Sequence, residues 1–296
     1  MASVRSQLLA TFLRMTVKKK FARSGDLLKE RASMDKMSAM SVKGKPGRLE
    51  VIGGLAGEWH EAQLGSKETV VLYLHGGGYV LGSPTSHGGL AGLMANLAQA
   101  RVFVLDYRLA PETPFPGALD DAISAYKALL ENAEKPEKIV IAGDSAGGGL
   151  AVALMVALKE EGIPLPAAGV CLSPWADLSF SGDSMQTNAK ADSILCKESL
   201  AWLGKQYLAD LTANDSRVSP IFADLTGLPP LLIQVGSNEV LLDDAVRLNK
   251  IAKKAGVDST LEVWDGQVHV WQLMSKLIPE ARQALQRIGT FIKTHT

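Results

Sequence analysis

The sequence predicts an α/β fold in which a mostly parallel sheet is covered by helices on both faces. Three observations carry that expectation. From about residue 48 onward, short runs rich in Val, Ile and Leu alternate with longer stretches of helical periodicity. The run Val70-Val71-Leu72-Tyr73-Leu74 is apolar throughout and reads as a buried strand. The chain has 296 residues, 47% hydrophobic and 21% charged. That is enough for one large α/β domain or two ordinary ones with no disulfide or metal staple.

In chain order, residues 1–50 stand apart. They hold 12 Lys and Arg against 4 Asp and Glu, a net of +8 in a chain whose total is zero, so the remainder carries −8. Leu8, Leu9, Phe12 and Leu13 fall at helical spacing, as do Leu27, Leu28 and Arg31, and Gly44-Lys45-Pro46-Gly47 breaks the chain. Strands are then expected over 70–74, 102–105, 138–142, 168–172, 231–235 and 260–264. The helices between and after them are expected over 88–98, 118–131, 146–161, 241–255 and 281–293. Residues 177–220 carry no strand signal but include an amphipathic helix over 199–208, with Leu200, Trp202, Leu203 and Tyr207. An insertion of this size suggests a covering lobe. The expected organisation is therefore a helical cap segment over 1–45, a catalytic domain over 46–178 and 217–296, and a cap insertion over 179–216. The cap would lie over the carboxyl ends of the strands, where open α/β sheets place their sites. Opposite charge on the basic first segment and the acidic remainder would help it dock.

Composition excludes several classes. A neutral chain cannot coat a phosphate backbone by bulk charge, which argues against nucleic acid as the main partner. No stretch approaches the ~20 apolar residues of a membrane span. The apolar run at Leu8–Leu13 is ended by Arg14 and followed by Lys18, Lys19 and Lys20, the wrong length and flank order for a secretory signal. The expected location is cytoplasmic. Cys171 and Cys196 form no metal or disulfide pattern and read as reduced thiols.

Three stretches carry chemistry. Gly143-Asp144-Ser145-Ala146-Gly147-Gly148 is Gly-x-Ser-x-Gly between an expected strand and an expected helix. Such a turn can also bind phosphate, but the partners below favour Ser145 as a nucleophile. His75-Gly76-Gly77-Gly78 follows the strand over 70–74 and offers backbone amides to a developing oxyanion; Gly77, Gly78 and Ala146 are the expected donors. His75 is expected to hold its loop in place. Of the five histidines, His60 and His87 read as surface residues and His295 lies in the terminal tail. His269 follows the last strand, where the base stands in the order Ser, acid, His. The acid must then lie between Ser145 and His269, at the end of a strand. Glu239 does, after 231–235; Asp243, one turn further, would cap or brace the loop.

Together these residues, with Asp106-Tyr107-Arg108-Leu109-Ala110-Pro111-Glu112 and Ser173-Pro174-Trp175-Ala176-Asp177-Leu178, resemble the bacterial hormone-sensitive-lipase-like esterases. This is an α/β-hydrolase family, and the resemblance runs from about residue 65 to the end. It implies a carboxylesterase acting on a small-molecule ester of short to medium acyl chain, with no cofactor or metal. It also implies a helical cap and admits a homodimer formed by edge-strand pairing. By the same resemblance, the stretch from Asp106 to Glu112 would brace the oxyanion loop, with Arg108 and Glu112 as charge partners. Where many members carry Asp, this chain carries Glu239, one methylene longer. An amidase, lactonase or carbamate hydrolase would use the same machinery. A non-catalytic receptor on this fold would lack the histidine that His269 supplies.

Overall fold

A computed structural model describes residues 2–21, 27–41, 47–64, 68–132 and 134–296 of the chain, the side chains of residues 19–21 and 37–41 excepted. The predicted break at Gly44-Lys45-Pro46 therefore lies outside the described residues. The strands are β1 (Arg48–Ile52), β2 (Leu55–Glu61), β3 (Val70–Leu74), β4 (Arg101–Leu105), β5 (Ile139–Asp144), β6 (Ala168–Leu172), β7 (Leu231–Gly236) and β8 (Ser259–Trp264). They form one sheet in the order β1-β2-β4-β3-β5-β6-β7-β8. β1 with β2 and β2 with β4 pair antiparallel, and every other neighbouring pair is parallel.

The helices are α1 (Val4–Phe21), α2 (Leu27–Ser41), α3 (Pro84–Ala98), α4 (Gly117–Glu131), α5 (Ala146–Glu160), α6 (Ser184–Thr187), α7 (Lys197–Tyr207), α8 (Leu242–Lys254) and α9 (Pro279–His295). Successive residues of each central strand point to opposite faces and both faces are dry. Val71, Tyr73, Val102 and Val140 meet Leu90 and Met94 of α3 and Leu285 and Ile288 of α9. Leu72, Phe103, Ile141 and Ile233 meet residues of α4, α5 and α8, including Tyr126, Leu150 and Leu248. Cys171 faces this second layer, fully buried, and burial pushes its thiol up to about 12; neither cysteine is bonded.

Two elements were not legible in the sequence. β1 and β2 form a hairpin whose Gly53-Gly54 turn takes positive φ at both residues (58° and 81°), which suits a two-residue primed turn. β1 is an edge strand with Leu49 and Val51 facing solvent, so it lacks the continuous apolar run of the inner strands. The start of α3 also lies earlier than expected. Ser83 caps it, its Oγ accepting from Ser86 N (3.1 Å) while Ser86 Oγ accepts from Ser83 N (2.8 Å).

Placing α3 against β2 corrects the expectation for two histidines. His60, on β2, is buried against Gly88 of α3, whose missing side chain leaves the ring its room. Burial lowers its pKa against the opposing pull of Glu58. His87, on α3, is fully buried beneath the loop that follows β3. Neither is a surface residue, because the short polar sequence around each is covered by an element distant in the chain.

α1, α2 and α7 lie off the sheet. Ala10 and Leu13 of α1 pack on Val268, Trp271, Ile278 and Ala281. Leu200, Leu203 and Tyr207 of α7 join the larger core. Basic side chains of the first segment fasten it partly through hydrogen bonds to backbone carbonyls. Arg14 donates to Ala191 O (2.9 Å), and Lys18 to Ala189 O (2.7 Å) and Asp192 O (2.9 Å). Arg31 of α2 makes a bidentate pair with Glu112 (2.9 and 2.8 Å) and donates to Val80 O and Ala110 O. The Arg108–Glu112 pairing is thereby corrected. Arg108 instead grips Asp121 of α4 (2.6 Å), and Glu112 belongs to Arg31. Asp121 is presented by α4 and Glu112 by the turn before it, pairings that no local spacing encodes. Among the described residues no helix is long and apolar enough to cross a membrane.

Candidate active site

Ser145 stands at the turn from β5 to α5 with φ 54° and ψ −121°. A non-glycine residue held there stores about 1–3 kcal/mol of backbone strain. Ser145 N donates to Leu172 O and Trp175 N donates to Ser145 O, both 2.8 Å, which strap the turn to β6 and the loop beyond it. The flanking glycines are required by contact: a Cβ on Gly143 would lie 2.2 Å from Gly147 O, and one on Gly147 would lie 2.0 Å from Leu74 O. The turn can press against the end of β3 only without those side chains.

His269 and Glu239 arrive from the ends of β8 and β7. His269 Nε2 lies 2.9 Å from Ser145 Oγ, and its Nδ1 lies 2.8 Å from Glu239 Oε2. A neutral imidazole protonated at Nδ1 satisfies both contacts, accepting from the serine and donating to the carboxylate. All three side chains are buried. Burial alone would lower the pKa of His269, but the Glu239 hydrogen bond and charge outweigh it, and the pKa is raised above 6.5. Glu239 Oε1 accepts from Gly236 N (2.5 Å) and from Ser173 Oγ (2.7 Å). Ser173 Oγ also accepts from Val270 N (3.2 Å), so one hydroxyl ties the acid to the histidine loop. Asp243 is turned elsewhere: its carboxylate accepts from Ser184 N (2.7 Å) and its N–H donates to Ser184 Oγ (2.9 Å), joining α8 to α6. It braces a loop, as its position one turn along suggested.

Gly77 and Gly78 line the same cavity as Ser145 and His269, and Ala146 is the first residue of α5. Gly77 has φ +120°, and a Cβ there would lie 2.2 Å from Leu81 O, so this loop tolerates no side chain. Its position is set from beneath. Asp144 Oδ1 accepts from Gly76 N (3.0 Å) and Tyr73 OH (2.7 Å) and faces His87 Nε2 at 3.3 Å. Burial disfavours charge on His87, but Asp144 outweighs it and raises that pKa. His75, buried and beside His87, is driven the other way, down to about 3. Its Nδ1 contacts Gly76 O (2.9 Å), and Tyr107 stacks on it and donates to its carbonyl (2.7 Å). His75 thus holds its loop, and Tyr107 gives the Asp106–Glu112 stretch its bracing contact. Sequence reasoning missed Asp144, Ser173 and His87. The first two stand inside quoted motifs at positions whose chemistry the motif leaves open, and no signal marked the third.

The cavity above Ser145 measures about 190 Å³. Its walls are Leu13 and Val17 of α1, Met34 of α2, Leu200 and Leu203 of α7, and Leu273. The arrangement is a hydrogen-bonded serine hydroxyl at the floor of an apolar pocket, beside a glycine loop with its side chains removed.

Known proteins share this architecture. Residues 71–273 match a family model described as an α/β hydrolase fold. The chain is 46% identical over 251 residues to an acetyl-hydrolase of Streptomyces hygroscopicus, covering 85% of this chain and 84% of that protein. It is 40% identical over 252 residues to an esterase of Acinetobacter venetianus, covering 85% and 82%. A crystal structure of an esterase from the bacterial hormone-sensitive lipase family superposes with a TM-score of 0.94 at 42% identity, over 100% of this chain and 99% of that one. With its parallel sheet, its strand-to-helix serine turn and these relatives, the chain belongs to the α/β-hydrolase-fold family, among the bacterial hormone-sensitive-lipase-like esterases.

Proposed function

We propose that the protein is a carboxylesterase in which Ser145 is the nucleophile, His269 the general base and acid, and Glu239 the residue that orients and stabilises the imidazolium. The observation that carries this reading is the hydrogen-bonded line from Ser145 Oγ through His269 to Glu239, opening on an apolar cavity lined by Gly77 and Gly78. His269 Nε2 takes the proton as Ser145 Oγ attacks the ester carbonyl. The amides of Gly77, Gly78 and Ala146 receive the developing oxyanion. His269 then protonates the leaving alcohol. In the second half, water gives its proton to His269, attacks the acyl-enzyme and releases the acid. Residues 1–45 and 179–216 act as the cap: the walls contributed by α1, α2 and α7 close the pocket over the ends of the strands.

The size and apolar lining of the cavity support short- to medium-chain acyl esters. A series of p-nitrophenyl esters of increasing acyl length tests this. Each methylene that fills the pocket is expected to raise kcat/KM by up to about fourfold, and the rise should end and reverse once the cavity is full. A flat or absent response to chain length would contradict the reading. Replacing the ester by its isosteric amide in the same series separates an esterase from an amidase.

The pH profile follows from His269. The base must be neutral to act, so activity is present above its pKa and lost as pH falls through it. Because Glu239 raises that pKa, the acid limb of kcat/KM is expected above pH 6.5. A limb well below 6.5 in the wild-type protein would show that the histidine base is not paired with a carboxylate.

A further inference from the structure

The cavity is not uniformly apolar. Glu30 and Ser33 of α2 reach its lining together with Met34, on the wall formed by the N-terminal helices. Glu30 is only partly exposed, and no hydrogen bond or ion pair to its carboxylate is present among the described residues. Two described basic side chains of α1 and α2 are engaged elsewhere: Arg31 holds Glu112, Val80 O and Ala110 O, and Lys18 holds two backbone carbonyls. The other ionisable groups of the lining are spoken for. Asp144 faces Gly76 N, Tyr73 OH and His87, and His269 faces Glu239. Among the described residues, no Lys or Arg lines the cavity. A pocket of apolar walls thus holds one carboxylate with no counter-charge among the described residues, set away from the reacting serine on a separate helix.

A cleft of low-dielectric walls and one sign of charge selects ligands by charge. An unpaired carboxylate in that setting is stabilised by an approaching cation or hydrogen-bond donor and repels an anion. We infer that Glu30 is a specificity-determining residue that favours esters carrying a cationic or hydrogen-bond-donating group at the end remote from the scissile bond, and rejects esters with an anionic end. This rests on the esterase reading above and narrows its substrate class. Ser33, one turn from Glu30 and on the same lining, offers a second polar group to such an end.

Two sets of esters test it, one varied at the acyl terminus and one at the alcohol terminus. Each set carries a trimethylammonium end, its uncharged tert-butyl isostere and a carboxylate end. In at least one set kcat/KM should fall from ammonium to neutral to carboxylate. The ratio of ammonium to carboxylate should be about tenfold or more at low ionic strength and should shrink with added salt. Glu30→Gln should bring that ratio to within about twofold, and Glu30→Lys should invert it, neither of which a merely structural role would produce. A wild-type enzyme that hydrolyses the neutral esters with no charge preference in either set would overturn the inference. So would a preference that survives Glu30→Gln. Calorimetric affinities of the same esters for Ser145→Ala read the preference without turnover. Failure to hydrolyse any ester would therefore count against the esterase reading, while these affinities still decide the role of Glu30.

Discussion

Replacing Ser145 with alanine is expected to lower ester turnover by at least about 10⁴-fold, the scale on which removal of a serine nucleophile acts. The hydroxyl is the group the proposed chemistry consumes and regenerates, and no other hydroxyl contacts His269 Nε2 among the described residues. The same geometry predicts a small structural penalty. Ser145 Oγ has one hydrogen-bond partner, His269 Nε2, and the ring stays anchored through Nδ1 to Glu239. The straps that hold the turn, Ser145 N to Leu172 O and Trp175 N to Ser145 O, run through the backbone and survive the change. Stability should therefore shift by no more than about 1 kcal/mol, the net worth of one hydrogen bond. Steady-state hydrolysis of p-nitrophenyl butyrate alongside a thermal melt checks both halves. Near wild-type turnover in a folded variant would remove Ser145 from the mechanism.

The second large effect concerns the acid. Glu239→Gln is expected to reduce kcat by about 10⁴-fold, as neutralising the acid of a serine triad does, while Asp243→Asn should leave kcat within a few-fold of wild type. Gln keeps the shape and an acceptor for Gly236 N and Ser173 Oγ. With its carbonyl held by those two donors, however, its amide presents an N–H to His269 Nδ1. The ring must then turn its proton to Nε2, the atom that has to accept from Ser145. The acid limb of kcat/KM should also move to lower pH in Glu239→Gln, because the charge that raises the His269 pKa is gone. Asp243→Asn disturbs only the Ser184 contact between α8 and α6, so its effect should appear as a modest loss of stability. A collapse of kcat in Asp243→Asn with Glu239→Gln active would reverse the assignment.

The two carboxylates also show how far the site was legible in the sequence. Glu239 was selectable because it stands at the end of an apolar strand, and strand ends in a parallel sheet converge on one edge. The same logic located Ser145 and His269. Ser145 and Glu239 each follow a strand buried throughout, so the direction of the chain there is set by burial on both faces, while His269 follows the half-exposed edge strand β8. β6 and β7 begin where their apolar runs begin, at Ala168 and Leu231. The β1–β2 hairpin escaped because charged residues interrupt both strands, Arg48 and Glu50 on the edge strand β1 and Glu58 and Glu61 on β2.

What the chain alone determined is the parallel sheet, the serine turn with its obligatory glycines, and the order of Ser145, Glu239 and His269 along it. These depend on local periodicity and on steric limits that act within a few residues. Only the tertiary structure decided which long polar side chains meet: Arg108 with Asp121, Arg31 with Glu112, Ser173 between Glu239 and Val270, and His87 against Asp144. Only it left Glu30 without a partner in the pocket among the described residues. Flexible charged side chains on separate helices pair by proximity across the fold, and proximity between residues far apart in the chain is set by how the layers pack. No spacing in the sequence records it.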